Sequence, residues 1–175
     1  MKVLGIDPGS RLLGFGVVDK AGSKLSAQAY GTLRFNTKVE ANERLLEIYL
    51  GVKKLIHEYK PEHVAIEKVF FAKNVVSALK LGQARGVAIL AVAEASIPVF
   101  EYSPNEIKQA TVGFGHADKE QVAKMVTRIL GVKEFESTDA SDALAIAICH
   151  LHTYTYTHRI AQAQKRASSN EEAEK

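Results

Sequence analysis

The stretch Val3-Leu4-Gly5-Ile6-Asp7-Pro8-Gly9 decides the fold. Its apolar run predicts a buried β-strand, and the Pro8-Gly9 pair ends that strand directly after an acid. Two further strand-like runs, Leu13 to Val18 and Leu25 to Leu33, flank a turn-rich break at residues 19–23. The start of the chain therefore predicts an antiparallel meander of three strands.

Helices and strands alternate after this meander. Apolar residues at spacings of three and four indicate helices, short apolar runs indicate strands, and Ser103-Pro104-Asn105-Glu106 is a capping box that opens a helix. The predicted elements are a helix over 43–59, a strand over 64–67, a helix over 75–95, a strand over 99–101, a helix from Ser103 to Val112, a helix that Asp118 caps and Gly131 ends, and a last helix from Asp139 to about His152. This order predicts an α/β fold with a mixed five-stranded sheet, three antiparallel strands followed by two parallel ones, flanked by helices.

Composition narrows the class of protein. The 175 residues are 46% hydrophobic, and the net charge of +3 mildly favours a polyanionic partner. We expect one domain over residues 1–157 and a disordered polar tail over 158–175.

No apolar run has the length of a membrane span and no signal peptide is evident, so we expect a cytoplasmic protein without membrane contact. Cys149 is expected to be a buried, inert thiol, and His150 and His152 to be structural.

Four acids carry the predicted chemistry. Asp7 and Glu67 each end a predicted central strand, where the crevice of an open α/β sheet lies. Asp139 and Asp142, spaced i, i+3 at the start of the last helix, point along one face of it. If that helix end meets the strand ends, the carboxylates converge and require hard cations such as Mg²⁺. Such a site is typical of two-metal nucleases.

Each acid also has a plain structural explanation. Asp7 before Pro8 and Gly9 fits a turn, and Glu67 fits a surface position at a strand end. Asp139 fits a helix N-cap, and Asp142 fits a first-turn acid that complements the helix dipole. The spacing alone leaves both interpretations open.

Five longer motifs are more specific than the spacing of the acids. They are Leu4-Gly5-Ile6-Asp7-Pro8-Gly9-Ser10-Arg11 with Gly14-Phe15-Gly16, Ala65-Ile66-Glu67-Lys68-Val69-Phe70, Ala72-Lys73-Asn74, the run from Ser77 to Ala88, and Asp139-Ala140-Ser141-Asp142-Ala143-Leu144-Ala145. From Val3 to about His152 the chain thus resembles the RuvC family of Holliday-junction resolvases. The resemblance implies an RNase H-like fold and a metal-dependent DNA endonuclease that nicks two strands of a four-way junction symmetrically, in recombination and DNA repair.

The resemblance assigns roles to residues and implies partners. Asp7, Glu67, Asp139 and Asp142 are implied to be the catalytic, metal-binding acids, with two Mg²⁺ ions per active site for which Mn²⁺ can substitute. A homodimer is implied to place two sites across the junction, in cooperation with the RuvA-RuvB branch-migration complex. The small residues along the long helix suit a close approach between subunits, although packing inside one subunit explains them equally well. These small residues are Ala78, Gly82 and Gly86.

Further residues match the DNA contacts of the family. Phe70 is implied to stack on a junction base, beside Phe71 in the loop after Glu67, although both phenylalanines also fit a core. Lys108 and Lys119 match family lysines near the scissile phosphate, and Lys119 is a candidate catalytic group. The remaining candidates for DNA contact, which as surface polar residues also fit plain solvation, are Arg11, Lys73, Asn74, Lys80 and Arg85.

Three other interpretations stay open. The Asp7-x-Gly9-Ser10 hairpin with Gly14 and Gly16 also resembles actin-like and sugar-kinase ATPases, although 175 residues leave no room for the second domain that those proteins need. A related RNase H-like nuclease that acts on structured RNA shares the hairpin. A non-catalytic junction-binding module would use the acids for structure alone.

Overall fold

The structure is a computed structural model. It describes residues 1–68, 74–132, 135 and 137–173, with side chains described up to residue 157. The elements are β1 Lys2–Asp7, β2 Leu12–Ala21, β3 Lys24–Arg34, α1 Ala41–Tyr59, β4 His63–Glu67, α2 Val75–Glu94, β5 Val99–Tyr102, α3 Pro104–Val112, α4 Lys119–Leu130 and α5 Thr138–Ala173.

Five strands form one sheet in the order β3-β2-β1-β4-β5. β2 runs antiparallel to β1 and β3, whereas β4 runs parallel to β1 and β5. This topology confirms the predicted mixed sheet. β1 is central because its apolar run suits a strand covered on both faces, and Val3, Leu4 and Ile6 are fully buried.

Helices cover both faces of the sheet. Leu4 and Ile6 of β1 belong to the core that α1 and α2 form on one face. Val3 belongs to the core that α5 forms with α3 and α4 on the other face. Successive side chains of a strand point to opposite faces, so Gly5 and Asp7 lie on the α5 side with Val3.

Glycines allow α5 to lie directly against the sheet. A Cβ atom added at Gly5 would stand 2.0 Å from the carbonyl oxygen of Ala143, and one added at Gly14 would stand 2.2 Å from that of Asp139. Gly16 is similarly close to the next turn of the helix. Because no side chain fits at these positions, the backbones of β1, β2 and α5 are in contact.

The helix boundaries follow the predicted signals. Ser103 and Asp118 both form complete capping boxes, and Gly131 ends α4 in the left-handed conformation with φ of 64°. The positive φ explains why glycine stands there. Every predicted helix and strand is present.

The length of the last helix corrects the prediction. α5 extends to Ala173, whereas the sequence predicts an end at about His152. The disordered tail expected over 158–175 stays a prediction. Residues 159–167 are mostly alanine, glutamine, lysine and arginine, which are strong helix formers. The helix therefore continues after its apolar face ends. The domain boundary at residue 157 stays a prediction.

Candidate active site

Asp7 and Glu67 stand at the carboxyl ends of the two central parallel strands. β1 and β4 pair in register up to Ile6 and Ile66, so the next residue on each strand is an acid. Ile66 belongs to the α1–α2 core, which places Glu67 on the opposite face with Asp7. Both carboxylates are therefore presented to α5.

The first turn of α5 supplies the other two acids. α5 begins at Thr138, which puts Asp139 and Asp142 in its first turn and a half. Gly14, the cross-strand partner of Asp7, is the residue against which the backbone of Asp139 packs. A glycine thus makes the contact that joins the two pairs of acids, and the sequence interpretation missed this role. The available signal was the pair Gly14 and Gly16, which lie on the same face of a strand.

The pKa values show that the four acids are close enough to interact. Burial, and then the charges of Glu67, Asp142 and Asp139, raise the pKa of Asp7 to about 7, while Lys119 acts in the opposite direction. Burial and Asp142 also raise the pKa of Glu67. The cluster therefore holds negative charge that a bound cation would neutralise.

Two lysines face the acids across a cleft of about 270 Å³. Lys119 Nζ donates a hydrogen bond to Oδ2 of Asp142 at 2.9 Å, and this bond is the largest cause of the raised pKa of Lys119. The Asp118 capping box fixes Lys119 in the first turn of α4. Lys108 of α3 lines the same cleft, beside Pro104. The structure thus brings both predicted lysines to the acids.

The donor set fits a hard divalent cation. Among the described residues, no group of three or more Asp, Glu, His or Cys side chains is arranged as a complete metal site. Asp7, Glu67, Asp139 and Asp142 nevertheless offer only carboxylate oxygens, which Mg²⁺ prefers. Burial, and then the charges of the other three acids, raise the pKa of Asp7 to about 7. These acids are the residues that would hold the metal.

Several predicted DNA contacts follow β4 in the sequence. Phe70, Phe71 and Lys73 lie outside the described residues, so their roles stay predictions. Asn74 is the N-cap of α2, and its side chain accepts a hydrogen bond from the backbone N–H of Ser77 at 3.2 Å. This capping role accounts for an asparagine at position 74 without any contact with DNA.

Arg85 has a structural role that the sequence did not indicate. Its Nε donates to the carbonyl oxygen of Glu67 at 3.2 Å, and its guanidinium pairs with Glu101 at 2.9 Å. These bonds hold the end of β4 from the side of α2. Arg11 and Lys80 are exposed. Contacts of all three basic residues with DNA stay predictions.

The predicted small-residue stripe lies on the outer side of α2. Gly82 and Gly86 are exposed, and a Cβ atom at either would meet nothing within 4 Å in the described chain. Packing against the described residues of the subunit therefore does not explain these glycines. Leu79 and Leu90, 64% and 60% exposed, lie on the same side, and Ala78 is half-buried beside it. In the described part of the chain, α2 is also the one helix long and apolar enough to span a membrane.

The cysteine and histidines of α5 are structural, as expected. Cys149 is fully buried, and burial raises the pKa of its thiol to about 12. His150 is fully buried between the hydroxyl of Tyr102, at 2.8 Å, and the ring of His63, at 2.9 Å. Burial lowers the pKa of His150 to about 4, so the ring is neutral. His152 Nδ1 lies 3.1 Å from the carbonyl oxygen of Ala110.

Known proteins match the chain over most of its length. The family model described as crossover junction endodeoxyribonuclease RuvC matches residues 3–150. The RuvC protein of Geobacter sulfurreducens is 50% identical over 146 residues, which cover 83% of this chain and 89% of that protein. The RuvC protein of Bartonella henselae is 46% identical over 146 residues, which cover 83% of this chain and 86% of that protein. Among solved structures, T. thermophilus RuvC in complex with a Holliday junction substrate superimposes with a TM-score of 0.84 at 41% identity, covering 88% of this chain and 94% of that one.

The sheet topology and the carboxylate cluster define an RNase H-like, metal-dependent nuclease. The acids meet at the carboxyl ends of β1 and β4. Within this class, the chain belongs to the RuvC family of crossover junction endodeoxyribonucleases. The family membership inferred from the sequence motifs is confirmed.

Proposed function

We propose that this chain resolves four-way DNA junctions by hydrolysing one phosphodiester bond in each of two strands, symmetrically, during recombination and DNA repair. The observation that carries the proposal is the meeting of Asp7, Glu67, Asp139 and Asp142 around one end of an RNase H-like sheet. A solved relative at 41% identity is bound to a Holliday junction substrate, which supports junction DNA as the substrate of this chain.

The four acids are proposed to bind two Mg²⁺ ions per site, for which Mn²⁺ substitutes. When bound, the metal would activate a water molecule and stabilise the leaving oxygen. The chain holds the oxygen donors on β1, β4 and α5. Strand pairing joins β4 to β1, and the backbone of α5 contacts the sheet at Gly5 and Gly14, so the relative positions of the donors change little. Arg85 bonds the carbonyl oxygen of Glu67 and steadies the end of β4.

Lys119 and Lys108 are proposed to act on the scissile phosphate. The side chain of Lys119 is 74% exposed while its ammonium lies 2.9 Å from Asp142, so it adjoins both the acids and the entrance of the cleft. There it stabilises the charge that develops on the phosphate, the role of a catalytic group. Lys108 faces the same space and positions the backbone of the DNA.

A homodimer is proposed to form through the outer side of α2. Gly82 and Gly86 lie there between the exposed Leu79 and Leu90, an arrangement that allows two helices to approach closely and to bury apolar surface. A twofold dimer carries two identical sites, which matches two symmetric cuts.

The remaining contacts are proposed by resemblance to the family. Phe70 stacks on a junction base beside Phe71, and the protein works in the cytoplasm with a RuvA-RuvB branch-migration complex. The residues proposed to contact the DNA backbone are Arg11, Lys73, Asn74, Lys80 and Arg85.

Cleavage of a synthetic four-way DNA junction in Mg²⁺ tests the proposed function. We expect paired symmetric nicks, and we expect Asp7→Asn to abolish the nicks while junction binding persists. Linear duplex DNA, structured RNA and ATP serve as control substrates in the same assay.

Each other result contradicts the proposal in a different way. Binding without cutting would indicate a non-catalytic junction-binding module. Preferential cutting of structured RNA would indicate the related RNA nuclease, and ATP hydrolysis would indicate the ATPase fold class.

A further inference from the structure

Phe114 is an aromatic residue that the fold leaves in water. It lies between α3 and α4, flanked by Gly113 and Gly115, and it is 47% exposed. No catalytic role described above involves it. A single exposed apolar residue is common on protein surfaces, so exposure alone assigns no function.

The loop that carries Phe114 is anchored at both ends. At one end the N–H of Gly113, which has a φ of 98°, bonds the carbonyl oxygen of Gln109 at 2.9 Å. At the other end Ala117 is fully buried, and Asp118 forms the capping box of α4. Both ends are tied to helices, so the backbone that carries Phe114 is held in place between α3 and α4.

The loop also borders the active-site cleft. A Cβ atom added at Gly115 would stand 3.7 Å from Cβ of Asn105, which places the loop against the first turn of α3. Pro104 and Lys108 of α3 and Lys119 of α4 line the cleft. Phe114 therefore lies on the segment that joins the two cleft-lining helices, with a cationic side chain on each of them.

From this placement we propose that Phe114 stacks on a nucleobase of DNA bound in the cleft. The inference rests on the proposed DNA-cleaving function. An exposed ring fits the face of a base, and neighbouring lysines fit the phosphates on either side of it. Phe114 would then hold a nucleotide near the cut from the α3–α4 side.

Fluorescence of 2-aminopurine tests the inference in the full-length chain. The base analogue is placed at successive positions around the cut of a four-way junction, and binding is followed in the Asp7→Asn background so that the DNA stays intact. Phe114→Ala is compared with Phe114→Tyr, which keeps the ring. Tyr156→Ala is the matched control, because Tyr156 is an exposed aromatic residue, 67% accessible, near Lys20 and Gly22 at the other end of the sheet.

We expect Phe114→Ala to remove the fluorescence change at one position and to weaken junction binding roughly 5- to 150-fold, the range for loss of one stacked base. Phe114→Tyr should retain both, and Tyr156→Ala should alter neither. Equal binding and equal fluorescence for Phe114→Ala and Tyr156→Ala would overturn the inference while leaving the nuclease function intact. Failure of the unmodified chain to bind the junction would instead overturn the proposed function as well.

Discussion

Asp7 is the residue at which catalysis and stability conflict. Burial and three neighbouring acids raise its pKa from 3.8 to about 7. The folded state therefore holds the proton more tightly than the unfolded state does. The resulting stabilisation is fully present below pH 3.8 and is lost as the pH rises through about 7, where the buried carboxylate ionises without a counterion.

Replacing Asp7 should therefore stabilise the protein when divalent cations are removed. In the presence of a chelator and above pH 7, we expect Asp7→Asn to raise the free energy of unfolding by on the order of 2 kcal/mol, measured by denaturant titration. Towards acidic pH the difference should disappear. Asp19→Asn is the control, because Asp19 pairs with the amino group of Met1 and should give no gain. A lower stability of Asp7→Asn above pH 7 would contradict the crowding of the acids.

Lys119 is the other residue whose charge the site depends on. We expect Lys119→Met to slow single-turnover junction cleavage by about 10²–10³-fold, since it removes a cation beside the acids and the substrate phosphate. Lys119→Arg should keep part of the activity. Lys124→Met is a closely matched control, because Lys124 lies on the same helix, is also 74% exposed and pairs with Glu120. Equal rates for the two methionine variants would exclude Lys119 from catalysis.

At the scale of the elements, local signals in the sequence predicted which segments form helices and strands. These signals act within a few residues, so they can be recognised without knowledge of the fold. They are the apolar runs, the capping boxes at Ser103 and Asp118 and the αL glycine Gly131. The approach of α5 to β2 is not local. It depends on Gly14 meeting a backbone carbonyl more than a hundred residues later in the chain, and nothing near Gly14 indicates that partner.

Gly14 should therefore affect activity more than its size suggests. Its Cβ position lies 2.2 Å from the carbonyl oxygen of Asp139, so Gly14→Ala must push the start of α5, with Asp139 and Asp142, away from β2. We expect cleavage to fall about 100-fold, because small displacements of reacting groups have effects of that size, and stability to fall by about 1–3 kcal/mol. Junction cleavage and thermal unfolding measure the two effects.

A second glycine variant serves as the control that distinguishes displacement of the acids from a general loss of stability. In Gly51→Ala the added Cβ would stand 2.9 Å from the end of the flexible Leu33 side chain and at an ordinary contact distance of 3.6 Å from the ring of Phe35, so this variant should keep its activity. If Gly14→Ala cleaves as fast as Gly51→Ala, the contact between β2 and α5 does not position the acids.

At the scale of the whole molecule, the net charge of the chain predicted little about its binding partners, and the fold explains more. The net charge of +3 is compatible with many partners. The fold, however, gathers Lys108 and Lys119 from separate helices beside the acids, and it leaves the apolar side of α2 without a partner in the described chain. Which side of α2 stays exposed could not be predicted from its sequence, because the helix is apolar on most of its circumference and only packing selects the buried side.

The exposed side of α2 gives the prediction that concerns the molecule as an assembly. Leu79, Gly82, Gly86 and Leu90 recur at spacings of three and four, so they form one stripe along the helix. If this stripe joins two copies of the chain, a charge within it would be buried without a counterion and would prevent association. We expect Leu90→Glu to convert a dimer into a monomer of about 19.1 kDa in analytical ultracentrifugation.

The monomeric variant should still bind and nick the junction but should no longer make two coordinated cuts. Each subunit retains its own four acids, so we expect Leu90→Glu to produce single nicks and to lose paired nicks in the same junction molecule. Ser77→Glu is the matched control, because Ser77 is exposed on the opposite side of the same helix and should leave the dimer intact. A Leu90→Glu protein that remains dimeric would move the interface away from α2, and a monomer that still makes paired nicks would show that the two cuts do not require two joined subunits.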